Sequence, residues 1–164
     1  MRTLSRAGGT AAIVAGALRV LMSFNSIAIH TPQQVLYFVI DLLLLIGVVA
    51  VFAGRRQLLG RLGAAGFVIV VVGIGVVRFT RAFPGIDLYP AGALAIVSGW
   101  ILLSAAWWSG ARGSALVPLL FGLSLLIGLI GRLMPDAAAL FVVSGVVFGA
   151  AMIAVGRQLV IAAS

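Results

Sequence analysis

A chain of 164 residues that is 63% hydrophobic and 9% charged, with a mean hydropathy of +1.30, has too little polar surface to cover a water-soluble globule. Its formal charge of +8 comes from eleven basic residues, all of them Arg, set against only Asp41, Asp87 and Asp136. These arginines are spread along the chain at the ends of apolar stretches, which is a topological pattern and excludes a nucleic-acid patch. With no Cys and a single His, His30, one chain holds no thiol redox pair, thiolate metal site or multi-histidine haem or zinc site, and the lack of Lys removes Schiff-base chemistry. No metal and no cofactor is expected.

Six apolar stretches have the ~20 residues needed to span ~30 Å of hydrocarbon. They lie near 8–29, 35–54, 62–82, 88–109, 115–134 and 137–157. The first is read as a membrane span and not as a cleaved signal, because Arg19 interrupts its apolar run. Between the first two stands only Thr31-Pro32-Gln33-Gln34, and between the last two only Pro135-Asp136, so consecutive helices are antiparallel neighbours. Pro90 suits the first turn of the fourth helix; Asp136, and in the same manner Asp87, suits a helix N-terminus, where a carboxylate accepts orphan amide hydrogens. Gly66 and Gly73 in the third helix, and Gly145 and Gly149 in the sixth, allow another backbone to approach closely. The expected fold is an all-α, polytopic membrane helix bundle of six transmembrane helices, with residues 1–164 forming a single membrane domain.

Arg2, Arg6, Arg55, Arg56, Arg61, Arg112 and Arg157 fall on one side of the membrane; Arg78, Arg81 and Arg132 fall on the other with all three aspartates. Short, positively charged loops stay in the cytoplasm, which places both termini there. Tyr37 and Tyr89 at the outer helix ends and Trp107 and Trp108 at the inner end of the fourth helix suit the headgroup level. Arg bias with abundant Ala, Gly and Val suits a GC-rich bacterial genome and hence the inner membrane. The recurrence of Gly and Arg at helix ends (Gly16 and Arg19, Gly75 and Arg78, Gly128 and Arg132) suggests an internal repeat of three tandem hairpins, 8–54, 62–109 and 115–157.

Charges within hydrocarbon are costly unless paired or hydrated, so Arg19 and Asp41 require an explanation. An outward-pointing Arg19 reaches the depth of Asp41, and the two are expected to form a helix-locking pair. Together Arg19, Asn25, Asp41, Arg78, Arg81 and Arg132 define a candidate outward-facing ligand site for an anionic group, with no catalytic residue assigned. His30 is expected to be solvated, and Trp100, Trp107 and Trp108 to serve packing or lipid contact. The inner cluster of Arg55, Arg56 and Arg61 is a topology determinant that also attracts anionic lipid. No phosphate loop, nucleophile elbow or pair of catalytic carboxylates occurs.

Two functions compete. One is binding or transport of a small anion or anionic lipid; the other is a non-catalytic structural or accessory subunit of a larger membrane complex or homo-oligomer. An intramembrane enzyme ranks last, because only Asp41 and His30 are suited to proton exchange near pH 7. Membrane lipids are the expected partners, and nucleic acid is not. A reporter fused after Ser164 is expected to behave as cytoplasmic; periplasmic activity of that fusion overturns the orientation.

Overall fold

The computed structural model describes residues 2–24, 33–80, 87–111, 114–134 and 137–163. They form five helices: α1 (Arg2–Ser23), α2 (Gln33–Phe79), α3 (Tyr89–Ala111), α4 (Leu116–Leu133) and α5 (Ala138–Ile161). All five are long and apolar enough to cross a membrane. His30, Asn25, Arg81, Arg112 and Asp136 lie outside the described residues.

The second and third apolar stretches, expected as separate helices, are joined in α2. Their connection contains Arg55, Arg56, Gln57, Leu58 and Leu59, good helix formers with no Pro among them, so the helix persists through the cluster. Straight, 47 residues would reach ~70 Å, more than twice the thickness of hydrocarbon. The helix instead breaks at Gly60, where φ is 56° and ψ is −158°, a backbone region essentially reserved for glycine. Beyond it the chain folds back. Phe52 and Phe67 stack with ring centroids 4.4 Å apart, although 15 residues of straight helix would separate them by ~22 Å. Residues 33–59 and 61–79 are therefore two antiparallel arms.

Antiparallel packing continues around the bundle. Gly8 of α1 faces Ala50 and Gly47 faces Ala12, so α1 runs against the first arm. Gly66 and Gly73 of the second arm face Gly99 and Gly92 of α3. Ser124 and Ser144 tie α4 to α5 by reciprocal bonds: each hydroxyl donates to the other's carbonyl, at 3.0 Å and 2.9 Å. Gly16 and Gly9 of α1 then meet Gly149 and Gly156 of α5. At Gly145 the approaching group is the Ser23 side chain of α1, whereas the expected close approach of another backbone holds at Gly66, Gly73 and Gly149. Side chains cannot intervene there, because a Cβ at Gly66 would stand 2.7 Å from the Gly99 carbonyl oxygen, and one at Gly9 2.8 Å from that of Gly156.

The core draws on every helix, with Ala12, Val48, Val70, Trp100, Phe121 and Met152 in one cluster. Trp100 stacks on Phe121 at 5.5 Å, and Phe121 meets Phe148 edge-on at 5.4 Å. Trp100 and Trp107 are thus packing residues, whereas Trp108 is exposed. Leu119, Phe79 and Leu133 point outward with about two thirds or more of their surface uncovered, as lipid-facing side chains do. The N-terminal end of α3 matches expectation: Pro90 lies in its first turn, and the Asp87 carboxylate accepts the Tyr89 N–H at 3.1 Å.

Gly60→Ala tests the hinge in isolation, since open space surrounds a Cβ built there and only backbone strain opposes it. It is expected to destabilise by on the order of 1–3 kcal/mol. Gly75→Ala, also in open space but within regular helix, is expected to be neutral or to stabilise by roughly 0.5–1 kcal/mol. Thermal unfolding in detergent reads both; equal effects would remove the hinge role of Gly60.

Candidate functional site

Asp41 sits on the first arm of α2, 19 residues before Gly60, and Arg78 on the second, 18 residues after it. Folding about Gly60 therefore brings them to one level. The Arg78 guanidinium Nη2 donates to Asp41 Oδ2, forming the single ion pair among the described residues. In a straight helix their 37-residue separation would be ~55 Å. Asp41 thus pairs with Arg78, correcting the expected partner, Arg19. Depth decides the outcome: Arg78 lies near the same end of its apolar stretch as Asp41, while Arg19 lies further inside its own.

Arg19 remains close. Its charge acts on Asp41, and its guanidinium carbon lies 6.0 Å from the centroid of the Tyr37 ring, one helical turn from Asp41. It is half-buried and has no carboxylate partner among the described residues. The Arg78 guanidinium lies 5.3 Å from the Phe38 centroid. One cation therefore bonds the carboxylate and a second acts on it from α1, each also resting on an aromatic face, leaving one excess positive charge.

Arg78 and Asp41 line a cleft of about 190 Å³ with Phe38, Leu42, Leu45 and Ile74. Apart from the ion pair its wall is apolar, and Phe38 and Leu42 are exposed on the outer surface of the bundle. The pair is only partly covered, with 31% of the Arg78 side chain and 15% of Asp41 accessible. Arg78 Nε is buried and has no hydrogen-bond partner, so part of the donor capacity of this guanidinium is unused.

Of the six candidate site residues the structure brings Arg78 and Asp41 into contact and sets Arg19 beside them. Arg132 is exposed near the end of α4, a helix packed on α3 and α5, and lines no part of this cleft. Asn25 and Arg81 lie outside the described residues. Sequence reasoning missed Phe38 and Tyr37 as ring platforms; an aromatic three or four residues before an intramembrane carboxylate shares its helix face and was available as a signal. It missed the Ser124–Ser144 clamp too. At the opposite end of the bundle Arg55 lies 5.7 Å over the Trp107 ring, which ties the basic cluster near Gly60 to α3.

No known protein family, curated protein or solved structure matches the chain.

A double-mutant cycle tests the pair. Asp41→Asn or Arg78→Gln alone leaves an uncompensated charge at membrane depth and is expected to destabilise by on the order of 3 kcal/mol, while the double variant costs less than the two single losses combined. Coupling of Asp41 to Arg19, which lacks the direct bond, is expected to be smaller. Thermal unfolding in detergent measures both; additive losses at Asp41 and Arg78 would remove the pair.

Proposed function

We propose that the protein is a multi-pass protein of the bacterial inner membrane, crossing six times with both termini cytoplasmic, and that it binds an anionic lipid in its outer leaflet at the cleft lined by Arg78 and Asp41, with Arg19 nearby on α1. Six crossings are supported by the fold-back at Gly60, which divides α2 into two arms. The orientation rests on the arginines gathered at the Gly60 end of the bundle. The observation that carries the binding reading is the charge imbalance beside an apolar cleft: two guanidinium groups and one carboxylate.

A third, anionic group neutralises this trio, and a phosphate does so with geometry suited to guanidinium donors. A lipid fits better than a free anion. A solute ion would have to leave water for a cleft walled by Phe38, Leu42, Leu45 and Ile74, whereas a lipid brings an acyl chain for that wall together with its phosphate. Binding is proposed in preference to transport. A second reading is favoured by the register about Gly60: the pair clamps the two arms of α2 and the protein serves as a structural subunit.

Native mass spectrometry of protein extracted from bilayers of phosphatidylglycerol and phosphatidylcholine separates these readings. Retention of phosphatidylglycerol is expected to exceed that of phosphatidylcholine. In Arg19→Gln, which leaves the ion pair intact, affinity for phosphatidylglycerol should fall about ten-fold, the equivalent of ~1.4 kcal/mol for one lost charge-assisted contact. If folded Arg19→Gln and Arg78→Gln proteins both keep the wild-type preference, lipid binding at this cleft is wrong and the clamp remains.

A further inference from the structure

The glycine contacts between helices recur at a fixed interval. Gly9 and Gly16 of α1 face Gly156 and Gly149 of α5; 83 residues on, Gly92 and Gly99 of α3 face Gly73 and Gly66 of the second arm of α2. Subtracting the same 83 from Gly156 and Gly149 gives Gly73 and Gly66. The flanking contacts follow the rule as well. A Cβ at Gly9 would meet Val160, and one at Gly92 would meet Val77; one at Gly16 would meet Ile153, and one at Gly99 would meet Val70. On the facing helices Gly149 meets Val20 as Gly66 meets Leu103, and Gly156 meets Ile13 as Gly73 meets Ile96. Every one of these partners is displaced by 83. The amino-acid sequence carries the same trace, since Ala12-Ile13-Val14-Ala15-Gly16 matches Ala95-Ile96-Val97-Ser98-Gly99 at four of five positions.

From this register we infer that the chain is a fused, inverted pair: residues 2–80 and 87–163 are two three-helix units that recognise each other through one self-complementary face. Position 9 of one unit touches position 73 of the other, and position 73 of the first touches position 9 of the second. That reciprocity is the mark of a twofold, isologous interface. Each unit holds three antiparallel rods, an odd number, so α3 runs opposite to α1 and the second unit is upside down relative to the first. The pseudo-twofold axis then lies in the plane of the membrane. Three tandem hairpins would place their axis along the membrane normal instead, and they predict equivalent roles for Gly16, Gly75 and Gly128. A Cβ at Gly75 meets nothing, and one at Gly128 meets only Ser144, while one at Gly16 runs into the backbone of α5. The partner that fits the glycine face of each unit is thus the other unit of the same chain.

Two measurements on the full-length protein test this. The chain has no Cys, so single cysteines at the corresponding positions Ser5 and Leu88 can be labelled in sealed vesicles with a membrane-impermeant maleimide. Ser5→Cys and Leu88→Cys are expected to react from opposite sides of the bilayer, and reaction from the same side overturns the inversion. Because this labelling uses folded protein and does not involve Arg78, it stands or falls apart from lipid binding. In the second measurement Gly16→Leu and Gly99→Leu are expected to lower the detergent melting temperature by similar amounts, with Gly75→Leu close to wild type. A ranking in which Gly16→Leu behaves like Gly75→Leu and unlike Gly99→Leu overturns the paired-unit architecture in favour of hairpins.

Discussion

Among lipid tails, which are as apolar as leucine, helices gain nothing from hiding apolar side chains against one another, so close backbone approach must hold them together. In this chain the approach is made by glycine. Along α1 and α5, and again along the second arm of α2 and α3, glycines seven residues apart stand opposite each other, and a carbonyl of one helix occupies the place where a Cβ of the next would be. Helices this close gain dispersion contacts along their whole length and leave no gap for lipid. The two seams fix the registers of four helices. The aromatic cluster of Trp100, Phe121 and Phe148 and the Ser124–Ser144 clamp then attach α4.

The charged site depends on a second constraint, the fold-back at Gly60. Because Asp41 and Arg78 are nearly equidistant from that glycine, the hinge that turns the chain also matches their depths. A charge at membrane depth without a partner is costly, so this match stabilises the hairpin while it leaves Arg19 as the excess cation. One backbone conformation therefore links the break in a long helix to the electrostatics of a cleft roughly eighteen residues away.

Much of this was legible in the sequence. Apolar stretch lengths mark helices long enough to cross a membrane, and Gly66, Gly73 and Gly149 mark places of close backbone approach. What the glycines did not reveal was which helix they approach, because spacing along one helix is silent about its partner. The hairpin repeat and the inverted pair rest on different signals. Arg and Gly recur at helix ends wherever a membrane boundary falls, so they mimic a repeat of hairpins, while the informative match, residues 12–16 with 95–99, lies within helix interiors. Asp41 pairs with Arg78 and not Arg19 because Arg78 lies closer to its depth. The helical course through Arg55–Leu59 is hard to read because an arginine cluster between apolar stretches resembles a loop, although arginine is a good helix former.

The second unit also serves as an internal control for the first. At the position corresponding to Arg19 stands Leu102, and at that corresponding to Arg78 stands Ile161. Each seam joins one helix of each unit: α1, with Arg19, packs on α5, with Ile161, and the second arm of α2, with Arg78, packs on α3, with Leu102. The α1–α5 seam therefore closes with an aliphatic residue where the other has Arg78, and the α3 seam with one where the other has Arg19, so neither seam needs both cations. Placing two cations there adds a desolvation cost that Asp41 offsets only once. Because neither seam needs two cations, the excess charge in the one unit that carries Arg19, Asp41 and Arg78 together supports the proposed anionic ligand on that side of the membrane.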